Sequence, residues 1–476
     1  VTREKIVNFE DVSDSGSKPS ANSNGYSRHK SFHDELIRFK EKTESHAVQG
    51  PTPGGYYTGL WCRDSSYILK DWFLSGRIPE VLEQIHVIWS HQLDPPNDDK
   101  IVFGRGSPEM NFEPTIAEKE VKKRFQGSLP TSIFQHRKIC EVFGRAPDID
   151  STALMISTTA WILTGLLSKK SFDASSTEFT TRNQVDKLQN VIDFVIPRII
   201  KAIEYLSKRD IDNDGLLEQS HNEDWMDSVL RAGKIVYSQA CWILALSNFS
   251  VFLQVQTSKH ASLIESMVKM IDNTIRATEQ KLWSEADGSY IDIQVTHHIG
   301  GPYRTLTQDI SLYLIALTEN TKLDSLSIND HIQKRNLVLP RIVKLMNENG
   351  DNKRRINDRL LSTLEAIRTR SRSKKWPLVT EVELNSTGPW YLRPNEYHNH
   401  TFWPWATGIE MLARSRFGEF KECKILLSTL AAKGHPHLHC YYEWLNPLND
   451  RSGGVYPFRT GISAVRIALT DLIEKI

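Results

Sequence analysis

The chain has 476 residues, 39% of them hydrophobic and 25% charged, which allows a sizeable core and a globular rather than a disordered protein. Fifty-nine Lys and Arg against 58 Asp and Glu leave a net charge of +1, without the footprint of a nucleic-acid or anionic-membrane partner; neither partner is expected. No apolar run of about 18 residues predicts a transmembrane helix, and the five scattered cysteines form no CxxC pair and no structural zinc motif.

In chain order, residues 12–27 are rich in Ser, Asn, Gly and Lys and read as a polar tail. One folded domain is expected over 30–476, with 1–29 outside it. The charged and polar first residues carry no secretory-signal pattern. Together with free thiols this predicts a cytoplasmic protein.

Helical spacing of apolar residues then dominates. It predicts helices at 31–45, 64–76, 79–93, 130–144, 150–168, 184–208, 234–256, 259–281, 306–318, 329–347, 354–370, 402–416, 419–433 and 460–475. Ala240, Ile243, Leu244, Leu246, Phe249 and Leu253, for example, make one broad apolar stripe. The basic cluster at 368–375 reads as a solvated helix face. With few convincing strands, the fold class is all-α. Long connections at 54–64, 102–114, 145–150, 210–234, 385–404 and 434–461 carry Trp, Tyr, Gly and Asp, and functional side chains concentrate on such loops. Six of them fit a ring of six helical hairpins with a common mouth. Their spacing alone fits an α-solenoid equally well, although no repeated motif supports one.

The loops hold the chemistry. Trp61, Arg63 and Asp64 open a helix after a glycine-rich approach. Asp64 suits a first-turn acid, or it grips sugar hydroxyls with Arg63 while Trp61 stacks. Asp210, Asp212 and Asp214 precede Gly215 like the front of a calcium loop, but the twelfth position is His221, where an EF-hand needs Glu. A tight polar turn is the plainer reading; a calcium site of another type is the alternative.

Glu223, Asp224 and Asp227 flank Trp225. Three acids this close repel one another, and burial beside an indole adds to the effect. One is then kept protonated near neutrality, as a general acid requires; a solvated acidic turn is the plain alternative. His398, Asn399, Trp403 and Trp405 form a segment too aromatic for an ordinary surface loop. Its two histidines, His398 and His400, lack a fixed third ligand, so no metal is expected. Sugar contact by Asn399 with stacking by Trp403 fits better, and core packing of the tryptophans competes with it. Glu443 lies between Tyr442 and Trp444 in a glycine-bearing excursion, where a lone Glu is usually just exposed. No GxGxxG, GxxxxGK[ST] or GxSxG pattern occurs, which weighs against nucleotide and serine-esterase chemistry. Carboxylates beside indoles suit a sugar-cleaving site: rings stack on pyranose faces, one carboxyl donates a proton and another handles water.

In order, these segments resemble the (α/α)6-barrel glycoside hydrolases. The likeness is to the glucosidase part of glycogen debranching enzymes and, more distantly, to neutral invertases, trehalases and processing α-glucosidases. Trp61-Cys62-Arg63-Asp64 resembles their early Arg-Asp motif. Pro147 to Ser151, with Asp150, is similar to the invertases' Val-Asp-Ser segment. Trp225-Met226-Asp227-Ser228 with Gly233-Lys234 and Ala240-Cys241-Trp242 resembles the debranching Trp-Met-Asp-Ala motif. Tyr397 to Pro404 resembles His-Asn-Gly-x-x-Trp-Pro, with His400 in place of the glycine. Tyr442-Glu443-Trp444 is similar to the segment before the last helix. The likeness runs from about Gly54 to Ile476.

It implies Asp227 as general acid and Glu443 as general base of an inverting reaction, with a gap of about 6.5–9.5 Å for the water. Arg63, Asp64, Asp150, Asn399 and Trp403 would line the terminal-sugar subsite, together with Trp61, Trp225 and His398. Asp224 would tune Asp227 or hold a hydroxyl. No metal or organic cofactor is implied, and the partner is an oligosaccharide or small glycoside. The expected activity is release of a terminal sugar, glucose, from α-glucosides, α-1,6 branch stubs first. Trehalose, sucrose and mannosyl- or glucosylglycerate are alternatives on the same scaffold. Two readings of other classes stand beside it. One is a sugar epimerase or lyase using His398, His400, His435, His437 and His439. The other is a non-catalytic carbohydrate-binding protein, to which His400 points.

Overall fold

The computed structural model describes residues 24–47, 49–94, 99–103, 120, 123–172, 182–229, 231–256, 260–296, 301–303, 305–318, 350–373, 376–383, 393–433 and 441–476. Among them are twelve α-helices: α1 Asn24–Ala47, α2 Cys62–Leu74, α3 Ile78–Ser90, α4 Ile149–Phe172, α5 Arg182–Ser207, α6 Val236–Gln256, α7 Ala261–Lys281, α8 Ser311–Thr318, α9 Gly350–Arg370, α10 Pro404–Arg416, α11 Phe420–Lys433 and α12 Arg459–Lys475. The fold is the expected all-α toroid, and its ring closes through the even-numbered helices. Here α2 packs on α4, α4 on α6, α6 on α8, α8 on α10, α10 on α12, and α12 returns to α2. The odd-numbered helices lie outside them, α1 against α12 and α7 against α6, for example.

Composition decides which helices go inside. In α6 every residue from Val236 to Leu253 is buried, as an apolar-all-round helix requires. Each fully buried Leu or Phe there is worth about 1.5–3 kcal/mol. By contrast, α7 buries one side only, through Met267, Val268, Ile271, Thr274, Ile275 and Thr278. Where inner helices meet, small residues let the backbones approach. A Cβ on Gly408 of α10 would come 2.7 Å from the Ala464 backbone of α12, so a side chain there would force the ring open. Two inner segments, Ile149–Ser168 and Val236–Gln256, are long and apolar enough to cross a bilayer. They are 78% and 100% buried in the toroid, which accounts for their hydropathy.

Two expectations need correction, and a third is not tested. Residues 130–144 are not a helix. They form β3 (Ser132–Phe134) and β4 (Ile139–Val142), which join β1 (Leu60–Trp61) and β2 (Lys100–Phe103) in a sheet of order β1-β3-β4-β2. The pair β2/β4 is parallel and the other two are antiparallel. A short apolar run rich in Ile and Val serves either state, and here distant strands were available to pair with it. Second, α1 starts at Asn24, inside the stretch read as tail. Third, the helix expected at 329–347 lies outside the described residues.

Candidate active site

Among the described residues, a cleft opens where loops before inner helices converge. Trp61, Arg63 and Asp64 reach it from the start of α2, Trp403 and Trp405 from the start of α10, and Phe458 and Thr460 from the start of α12. Trp225 and Asp227 come from the turn between α5 and α6, and Glu443 from the segment before α12. Three inner helices, α2, α10 and α12, therefore start at the cleft, which places their positive dipole ends at its rim.

Asp227 and Glu443 line this one cleft, together with Trp61, Arg63, Asp64, Trp225, His398 and Trp403. Asp150, Asp224 and Asn399 do not. Asp150 is wholly buried behind Arg63, its Oδ2 3.6 Å from the guanidinium, and accepts the Tyr237 hydroxyl at 3.2 Å. Asp224 faces Arg231 at 3.1 Å and accepts the Met226 N–H at 3.0 Å. Asn399 is buried and donates to the Arg393 carbonyl at 3.3 Å. These three support the wall instead of forming it. Spacing along the chain places them near the mouth, but only side-chain direction puts them behind it.

The acids are held differently. A hairpin, Trp444–Leu445 with Ser452–Gly453, carries Glu443, and mutual backbone bonds between Phe402 and Leu445 tie it to the loop before α10. Glu443 Oε1 accepts the Tyr57 hydroxyl at 3.1 Å and Oε2 the Val455 N–H at 3.0 Å. Gly454 makes room for this carboxylate: its φ is +72°, and a Cβ there would lie 2.1 Å from Oε2. Asp227 keeps 21% of its side-chain surface open to the cleft. His398 Nδ1 stands 3.9 Å from its Oδ1 and 2.7 Å from the Ser228 hydroxyl. Trp225 is fixed from behind by a bond of 2.6 Å from Nε1 to Asp309, which with Asp224 and Asp292 surrounds the buried Arg231.

Burial pushes the Asp227 carboxyl up to about 7; Arg63 opposes the rise, and Asp224, Asp150 and Asp64 add to it. Burial also pushes Glu443 up to about 8, against the two donors from Val455 and Tyr57 and with the help of Asp64 and Asp227. Burial works against the charge of Arg63, but Asp150 and Asp64 outweigh it and keep the guanidinium ionised. Burial lowers His398 well below its ordinary range, with Arg63 and Arg231 adding to the effect. It is therefore neutral, stacked on Trp403 with ring centroids 4.9 Å apart.

Tyr57, Tyr397, Trp405, Phe458 and Thr460 also line the cleft, and the sequence assigned none of them a place in the site. Tyr57, Tyr397 and Trp405 stand within four residues of one that it did, whereas Phe458 and Thr460 lie 15 and 17 positions beyond Glu443. The aromatic enrichment of the loops was the available signal. His400 has φ +54°, a backbone region favouring glycine, and its ring turns to the Thr380 carbonyl at 3.1 Å. It is not among the lining residues. Residues 435–440 lie outside the described residues.

At the aspartate turn, Asp210 accepts the N–H groups of Asp214 and Gly215. Lys234 Nζ stands 2.7 Å from Asp212 and in contact with Asp214, which Lys281 also meets. Two ammonium groups thus serve Asp212 and Asp214, and one ligand oxygen from each of the three carboxylates lies within 4.8 Å of the others.

Together these features define an (α/α)6-toroid protein with a carboxylate pair in its mouth. No protein-family profile matches the chain, and no curated protein sequence matches it. Solved structures do share its fold. A GH63 mannosylglycerate hydrolase from Thermus thermophilus in complex with glucose is 13% identical over 91% of this chain and 98% of that one, with a TM-score of 0.54. An uncharacterized conserved protein from the same organism is 12% identical over 90% and 98%, at 0.55. A wild-type glycosidase is 10% identical over 95% and 99%, at 0.53. At such identities the likeness establishes the toroid that solved glycosidases use; chemistry has to be argued from the site.

Proposed function

We propose that the chain is an inverting glycoside hydrolase that releases a terminal sugar, glucose, from small α-glucosides or α-1,6 branch stubs. The observation that carries this reading is that Asp227 and Glu443, remote in sequence, face one aromatic-walled cleft. In the proposed reaction Asp227 gives its proton to the glycosidic oxygen as the C1–O bond breaks. Glu443 takes a proton from a water whose oxygen bonds to C1 from the opposite face. The sugar is held between indole and tyrosine faces, with Arg63 and Asp64 within reach of its hydroxyls.

Two raised carboxyls titrate as a unit. Below about 7 both are protonated and no base is available; above about 8 both are ionised and no acid remains. Activity should therefore peak between these values. Within the singly protonated pair the higher value of Glu443 puts most of the proton there, so the working arrangement, with the proton on Asp227, is the minor one; the two donors on Glu443 keep it from being rarer still.

The test is a screen of α-glucosides and α-mannosides, followed by proton NMR of the first anomer released. β-Glucose appearing first from an α-glucoside supports inversion; α-glucose appearing first removes the two-carboxylate inverting scheme. Asp227→Asn and Glu443→Gln should each cut kcat by about 10²–10⁴-fold with circular dichroism unchanged. A near-normal rate in either variant takes that residue out of the mechanism. A second reading, hydrolysis of mannosyl- or glucosylglycerate, is favoured by the activity named for one of the solved neighbours, and glycerate release in the same screen decides it.

A further inference from the structure

Outside the cleft, one cluster combines the three ligand types that a borderline-soft metal ion takes. His91 caps the C-terminus of α3, Asp99 immediately precedes β2, and Cys140 lies on β4. His91 Nδ1 rests against Asp99 Oδ2, and Cys140 Sγ is 3.6 Å from the same oxygen. One ligand atom from each residue lies within 4.8 Å of the other two. We propose that His91, Asp99 and Cys140 form a binding site for a zinc-class divalent cation.

Geometry and donor chemistry both favour this. A tetrahedral zinc bound by sulfur, imidazole and carboxylate spaces its ligand atoms roughly 3.3–3.6 Å apart. The sulfur–oxygen separation already fits, and a small outward turn of the His91 ring admits the ion. Thiolate and imidazole select zinc, cobalt or copper over magnesium and calcium, which want oxygen. Cys140 is fully buried and Asp99 nearly so, whereas the His91 side chain keeps 16% exposure. That leaves one side open for a water as fourth ligand. The backbone holds two of the residues in register: Ile101, two residues after Asp99, pairs with Cys140 in the parallel β2/β4 ladder. On binding, the Cys140 thiol gives its proton to solvent and the ion takes the thiolate; no electrons move. An ion here joins α3 to the sheet whose first strand ends at Trp61, so it steadies the segment that delivers Trp61, Arg63 and Asp64 to the cleft. The sequence hid the site, since the three ligands stand apart with no zinc-motif spacing.

The test uses the full chain, stripped with chelator, titrated first with Co²⁺ and then with Zn²⁺. A near-ultraviolet cobalt–thiolate charge-transfer band should grow to one ion per chain and vanish as Zn²⁺ displaces cobalt. Cys140→Ser should abolish the band, His91→Gln should weaken cobalt affinity at least tenfold, and Cys440→Ser should leave both unchanged. Circular dichroism confirms folding of each variant; should Cys140→Ser not fold, the His91→Gln titration carries the same decision. Absence of the band, its survival in Cys140→Ser, its loss in Cys440→Ser, or unchanged affinity in His91→Gln each overturns the proposal and leaves a hydrogen-bonded trio.

Discussion

Replacing Tyr57 by Phe removes one hydroxyl and keeps the ring that meets Trp61, 5.2 Å between centroids, and Tyr56, at 4.9 Å. That hydroxyl donates to Glu443 Oε1, while Val455 continues to serve Oε2. A donor to a charged acceptor is worth roughly 1.5–3 kcal/mol, and one pKa unit is about 1.36 kcal/mol. Glu443, already pushed up to about 8 by burial, should therefore rise by about one to two units more. The sign follows from its role as base. Raising it draws the shared proton away from Asp227, so the working arrangement of the singly protonated pair falls about ten- to a hundredfold. Plotted against pH, kcat/KM should drop in height by that factor. Its alkaline limb should move up by the same one to two units, while the acid limb, set by Asp227 at about 7, stays in place. The assay is released sugar against pH for both proteins, with thermal unfolding as the control for folding. A profile superimposable on the parent, or one whose acid limb moves instead, refutes the assignment of Glu443 as base and Tyr57 as its positioning residue.

Other consequences are open to the same scrutiny. Gly454→Ala puts a Cβ 2.1 Å from Glu443 Oε2 at a φ of +72°. A displacement of the carboxylate by about 1 Å should cost roughly 10² in kcat, read by steady-state kinetics; an unimpaired rate means the loop yields instead. Arg231→Met leaves Asp224, Asp292 and Asp309 buried without their common cation, so denaturant titration should show a loss of about 3–5 kcal/mol. Burial holds Asp224 above its ordinary range and Asp292 at about 6. Protonation relieves the uncompensated charge, so the loss should shrink as pH falls through that range; a loss that grows on acidification contradicts the charge argument. His400→Gly relieves a left-handed backbone, about 1–2 kcal/mol, and forfeits a side-chain bond worth about 0.5–1.5 kcal/mol. Stability and kcat should barely change, whereas a collapse of kcat would give His400 a role in the reaction.

Most helices were readable because apolar residues recurring at helical spacing must face a core. The misread segment, 130–144, shows where that reasoning ends. Its apolar residues had strand partners 39 to 73 positions earlier, at Lys100–Phe103 and Leu60–Trp61, and periodicity within a window does not report distant pairing. In the cleft, residue types were informative where loops join inner helices: Trp61, Arg63, Asp64, Trp225, Asp227, Trp403 and Glu443 all reach the cavity. The same logic fails for Asp150, Asp224 and Asn399, which have suitable chemistry but face inward.

By itself, the order of residues determined a mainly helical chain with acids and indoles concentrated in its connections, because burial of apolar stripes and exposure of polar loops are local demands on each segment; closure into a ring instead of a solenoid came from the tertiary contacts. Tertiary structure alone decided which acid faces the cleft and which stands behind it. It brought Tyr57 to Glu443 across 386 positions, and it gathered His91, Asp99 and Cys140 at one point. Those outcomes depend on the direction of side chains after the ring has closed, a quantity that no stretch of sequence carries alone.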